Sequence, residues 1–153
     1  MVHAKGAKER RSRRGWYGFE TIAKIAIDCG LDIHRRIGPG LLELAYESVL
    51  AHALEKRGLR VARQQLIAIR FDGIVIDAGF RADLIVQDAL LIELKSIDRL
   101  APVHVKQVLT YLRFFELPVG LLMNFGGDTF KEGLRRIVNN HIPTSPSAPT
   151  QRH

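Results

Sequence analysis

The chain has 153 residues, 46% of them apolar, with 23 Lys and Arg against 16 Asp and Glu and a single cysteine. That length supports one domain with a core of its own, so one functional site is expected. A lone cysteine excludes an intrachain disulfide and a thiolate metal cluster and suits a reducing, cytoplasmic setting, and no stretch is apolar enough to span a membrane.

Six of the basic residues (Lys5, Lys8, Arg10, Arg11, Arg13 and Arg14) precede the first apolar periodicity. Residues 1–17 therefore read as a solvated, disordered basic tail that adds at most non-specific attraction to phosphate, and the domain proper is close to neutral. Arg13-Arg14 does not begin an export signal, because Glu20, Lys24 and Asp28 follow in an amphipathic stretch. Phe19, Ile22, Ala26, Cys29 and Ile33 recur at helical spacing and predict a helix from Phe19 to Arg36, which Gly38-Pro39-Gly40 ends. A second helix is expected from Leu41 to Lys56, stopping at Gly58. Leu66–Phe71 and Ile74–Phe80 are β-branched and aromatic-rich, and the Asp72-Gly73 pair between them favours a type I′ hairpin. Ala82–Val86 and Leu90–Leu94 flank a second tight turn at Gln87-Asp88-Ala89. A helix over Pro102–Phe115, a buried strand over Val119–Asn124 and a short amphipathic helix over Phe130–Asn139 follow. Residues 143–153 are Pro/Ser-rich and read as a second disordered tail, leaving 18–142 as the domain. The order of elements predicts an α/β fold with a mixed sheet flanked by helices.

Candidate chemistry lies in the second hairpin. If it is symmetric about Asp88, residues whose numbers sum to 176 face each other, and Asp83 lies across from Glu93. Lys95 shares that face, while Leu84, Val86, Leu90, Ile92 and Leu94 point to the other. Two acids facing each other in a sheet interior repel, and a divalent cation is the simplest compensation; oxygen ligands suit Mg²⁺ or Mn²⁺. No CxxC or HExxH pattern offers a zinc site. The same alternation of Arg81, Asp83, Glu93 and Lys95 equally suits an ordinary cross-strand ladder of ion pairs. No GxxxxGK[ST] or GxGxxG loop is present, and no Ser or Cys sits in a nucleophile elbow.

Asp83 followed by Glu93-Leu94-Lys95 resembles the D…(D/E)xK signature of the PD-(D/E)XK nucleases. Gly40-Leu41-Leu42-Glu43-Leu44-Ala45-Tyr46 is similar to the G-x-x-E-x-x-Y pattern of the GxxExxY branch of that superfamily, and His34 to Gly40 resembles its lead-in. Phe80 to Val86, His104 to Gln107 with Tyr111-Leu112, and Gly120 to Gly126 look like further family segments in the expected order, with Phe80 where a tyrosine is usual. The likeness runs from about Thr21 to Asn139 and covers neither tail.

The resemblance implies a restriction-endonuclease-like αβββαβ core and metal-dependent hydrolysis of nucleic-acid phosphodiesters, with DNA the first substrate to expect. Asp83, Glu93 and the Leu94 backbone carbonyl would bind Mg²⁺ or Mn²⁺, with Glu43 a ligand directly or through water. Lys95 would position the attacking water or stabilise charge on phosphorus. Gln107 and Tyr111 resemble the Q-x-x-x-Y element of RecB-like relatives and would hold the substrate backbone or the metal-bound water. Spacing alone leaves Glu43 equally a surface residue, and Gln107 with Tyr111 equally one face of an amphipathic helix. His104, on that same face, is more often structural than catalytic. A catalytically inactive nuclease-fold module that binds nucleic acid or protein is the alternative to an enzyme. A homodimer stands open, with no interface legible in the sequence.

Overall fold

Helices form where apolar residues recur every three to four positions, and in the computed structural model, which describes residues 4–140 with side chains from Gly18 onward except at 78 and 79, three such stretches do so. The first, α1, spans Ala4–Ile37, longer than the apolar spacing marks. Ala, Lys, Arg and Glu ahead of Phe19 are good helix formers, so the backbone of 4–17 continues the helix where the sequence reads as a tail. The Pro/Ser-rich residues 143–153 lie outside the described residues, as do 1–3 and the side chains of 4–17.

The second helix, α2 (Glu43–Lys56), is separated from α1 by the Gly-Pro-Gly turn, in which Gly38 (φ +75°) and Gly40 (φ +117°) adopt a conformation unfavourable to other residues. Tyr46 locks that turn. Its hydroxyl donates to the Gly38 carbonyl at 2.5 Å and accepts from the Leu41 N–H at 3.2 Å, while its ring stacks on Phe125 at 4.6 Å. Gly38, Gly40 and Tyr46 thus fix where α2 begins.

Strands β1 (Val61–Phe71) and β2 (Ile74–Val86) form the first hairpin, closed by Asp72 (φ +46°) and Gly73 (φ +74°) in the expected two-residue turn. The two stretches of β2 read as separate strands are one strand with a register shift opposite Ile67 and Ile69. Strand β3 (Leu90–Lys95) pairs with β2 at Leu84↔Ile92, Ile85↔Leu91 and Val86↔Leu90, the expected register. Helix α3 (Pro102–Phe115) starts on Pro102 and returns the chain to β4 (Val119–Asn124), parallel to β3, with the predicted boundaries.

The last helix expected, over Phe130–Asn139, is absent. A 3-10 turn at Lys131–Gly133 leads instead into β5 (Leu134–Val138), antiparallel to β4. Phe130, Leu134 and Ile137 match helical spacing, but the free edge of β4 offers a row of backbone partners that a short helix cannot replace.

The five-stranded mixed sheet has the order β1-β2-β3-β4-β5. Helices α1 and α2 pack on one face, over Leu84, Val86, Leu90, Ile92, Leu94 and Leu121. Helix α3 covers the other through Val108, Tyr111 and Leu112 against Ile67, Ile85, Leu91 and Leu122. With both faces covered, β3 and β4 are almost uniformly apolar and buried, and the buried polar residues that occur there, Glu93 and Asn124, stand out. Asn124 is structural: its carboxamide exchanges hydrogen bonds with Ile97 N–H (3.1 Å) and carbonyl (2.8 Å). This is an α/β fold of the restriction-endonuclease-like kind, a mixed sheet between helices. Among the described residues no helix is long and apolar enough to cross a membrane.

Candidate active site

The β2–β3 ladder ends at Leu84↔Ile92, and immediately beyond it two carboxylates take over the pairing. Asp83 Oδ2 accepts the Leu94 N–H at 2.9 Å, and Glu93 Oε1 accepts the Asp83 N–H at 2.9 Å. Each acid therefore caps the other's strand. Glu93 is 4% exposed, and burial together with the neighbouring Asp83 charge pushes its pKa up to about 9; Lys95 pulls in the opposite direction. Asp83 is raised too, chiefly by burial, against the Leu94 N–H that favours its ionised form. Each carboxyl thus makes the ionised form of the other less favourable, as closely spaced acids do.

A third acid approaches from α2, and it is Glu47, which the sequence reading did not single out. Glu47 is 2% exposed, accepts from Arg63 Nη2 at 3.0 Å and from Gln64 Nε2 at 2.5 Å, and its charge acts on Asp83. Gln64 also donates to Asp83 Oδ1 at 3.3 Å, so one carboxamide ties the helix acid to the strand acid. To do so it leaves extended conformation, with φ +50° near the start of β1. The sequence carries no signal for it: the register set by the Asp72-Gly73 turn would put Arg81 opposite Gln64, and only the shift between Ile67 and Ile69 brings Gln64 to Asp83. Glu43, one turn before Glu47, is exposed, and it lines a cavity of about 180 Å³ together with Leu44, Glu47, Gln64 and Asp83.

The other expected residues take these places. Lys95 ends β3, half-buried and close enough for its charge to act on Glu93. Gln107 Nε2 donates to the Tyr111 hydroxyl at 2.9 Å. Tyr111 is 4% exposed, and burial followed by the Glu93 charge raises its pKa, which sets this α3 pair beside the carboxylates. The Phe80 ring lies 5.6 Å from that of Tyr111. Leu94 engages Asp83 through its N–H. His104 is structural: its Nδ1 accepts the Ala101 N–H at 2.8 Å and caps α3.

Two carboxylates held side by side, Glu93 buried and Asp83 half-buried at the cavity, are suited to a hard divalent cation, which would relieve their repulsion. The residues fit such an ion as a two-carboxylate set, the type that leaves Mg²⁺ most of its waters; among the described residues no three His, Cys, Asp or Glu cluster as ligands.

The PD-(D/E)XK nuclease superfamily model matches residues 20–137. A solved structure described as "Crystal structure of SSO0001" is 25% identical, with 85% of this chain and 61% of that one covered and a TM-score of 0.45, so the chain spans about three fifths of that protein's length. No curated protein matches. The match over most of the domain, on a chain whose β2–β3 hairpin joins Asp83 to Glu93, assigns the family: this protein belongs to the PD-(D/E)XK nuclease superfamily.

Proposed function

We propose that this protein is a metal-dependent nuclease of the GxxExxY branch that hydrolyses nucleic-acid phosphodiester bonds, those of DNA in the first place. The observation that carries the reading is the reciprocal capping of Asp83 and Glu93, which brings a buried and a half-buried carboxylate together beside Lys95 and the Gln107–Tyr111 pair. Asp83 and Glu93, with the Leu94 carbonyl, would hold Mg²⁺ or Mn²⁺, and Glu47 and Glu43 on α2 would accept hydrogen bonds from its waters. When bound there, such a cation neutralises phosphate charge and lowers the pKa of a coordinated water. Lys95 contributes an ammonium to charge developing on phosphorus, a stabilisation that grows in a water-poor site. Gln107 and Tyr111 orient the substrate backbone.

The test is a nuclease assay on single-stranded, duplex and branched DNA with Mg²⁺ or Mn²⁺. Asp83→Ala and Lys95→Ala should each lower the rate by at least about 100-fold, the scale of losing a charge-stabilising group. Cleavage that persists at the wild-type rate in either variant sinks the proposal. A domain that binds without cutting is the second reading, favoured by the absence of a third acid at ligand distance among the described residues; it expects DNA retention and no turnover in the same experiment.

A further inference from the structure

We propose that two copies of this chain pair through the outer edge of β1, Gln65 to Phe71, joining their sheets across a two-fold axis at Ala68. Strand β1 is terminal in the sheet, so this edge presents unpaired backbone groups among the described residues. Natural edge strands are protected by lysine, proline, inward charge or a bulge. Gln65-Leu66-Ile67-Ala68-Ile69-Arg70-Phe71 has no lysine, proline or acid. The register shift of this hairpin puts its extra residues in β2, where Ile76 and Phe80 pair with Ile69 and Ile67, and so interrupts the edge of β2 while leaving that of β1 regular.

Beyond the stretch that pairs with β3, the hairpin extends past the sheet with its apolar residues uncovered. Phe71 is 69% exposed, Ile74 60% and Leu66 59%, and Val75, Ile76 and Phe80 are also exposed. Leu66 and Phe71 lie on β1 itself and the other four on the adjoining β2, so apolar side chains stand uncovered at this edge and directly behind it. An isolated two-stranded ribbon is marginal in water and gains most from further strands.

A second copy is the occupant that the edge fits. The regular run begins after Gln64, whose positive φ breaks the strand, and ends at the Asp72-Gly73 turn, so Ala68 is its midpoint. Antiparallel pairing about that midpoint sets Gln65 against Phe71 of the other copy, Leu66 against Arg70 and Ile67 against Ile69. Arg70 is the one charge in the run, so no like charges meet, and the small Ala68 lies where the two chains cross closest.

The test is sedimentation of the full chain from about 1 to 100 µM, with Ala68→Glu and Ala68→Lys. Ala68 is exposed, so neither variant disturbs the core, and unchanged circular dichroism would verify this. Wild type should sediment as a dimer, and each variant should dissociate at least about tenfold more readily because identical charges meet at the axis. An equimolar mixture of the two variants should recover the dimer. A monomeric wild type at about 100 µM, whether the edge is left open or covered by residues 141–153 of the same chain, overturns the proposal, as does a dimer indifferent to both substitutions. None of these readings depends on nuclease activity.

Discussion

Glu93 holds its proton where an ordinary glutamate has long lost it, and that has a measurable consequence for stability. A carboxyl whose folded pKa is about 9 against an ordinary 4.5 binds more protons folded than unfolded across that interval. Its contribution is therefore complete below about pH 4.5 and is lost as pH rises through 9. Thermal melting of the metal-free protein should fall steadily between pH 5 and 9, and Glu93→Gln, which cannot ionise, should flatten that slope; a melting temperature equally flat in wild type would contradict the buried pair. Glu47 and Glu43 separate by environment in a similar way. Glu47→Ala leaves the Gln64 carboxamide only its longer bond to Asp83 and Arg63 only Ser48, a loss of about 1–3 kcal/mol by the cost of unmade hydrogen bonds, tempered by the exposure of Arg63. Glu43→Ala, at an exposed helix start, should stay within about 0.5 kcal/mol. Urea unfolding of the two variants measures the difference directly, and equal losses would mean that Glu47 is not held as described.

Among the elements, Tyr46 shows how a single hydroxyl sets the geometry of a helix. Tyr46→Phe keeps the ring on Phe125 but releases the Gly38 carbonyl and the Leu41 N–H, and should cost about 1–2 kcal/mol in urea. Elements with a strong period or a demanding turn were legible before any coordinates. The Asp72-Gly73 hairpin, the register about Asp88, α3 and β4 follow from alternation, loop length and Pro102, and that register already set Asp83 across from Glu93. Helix Phe130–Asn139 was misread because Phe130, Leu134 and Ile137 satisfy a helical period while the decisive partner, the edge of β4, lies far along the chain. Glu47 escaped for a related reason. Its place on α2 beside Tyr46 and Leu50 marks a buried face, but only the pairing of β1 with β2 brings Arg63 and Gln64 to it. Sequence periodicity reports which face a residue takes, not which distant side chain will meet it there.

Across the whole molecule, α1 and α2 cover one face of the sheet and α3 the other, leaving Glu93 4% exposed while Asp83 opens onto the cavity beside α2, so the Glu93 proton and any cation compete for the same pair of carboxylates. Binding of Mg²⁺ or Mn²⁺ must then expel the Glu93 proton, and apparent affinity should rise with pH, by up to about tenfold per unit below pH 9. Because a ligand that binds only the folded state stabilises it in proportion to the logarithm of its affinity, each tenfold gain adds about 1.4 kcal/mol once the ion is in excess. Melting curves with and without millimolar Mn²⁺ should thus diverge from pH 6 to pH 8, the ion offsetting at high pH the stability that the ionising carboxyl removes. Asp83→Asn should abolish that divergence, since it leaves one carboxylate where two repelled each other. A Mn²⁺ shift of equal size at pH 6 and pH 8, or one that survives Asp83→Asn, would place the ion elsewhere on the protein and separate metal binding from this hairpin.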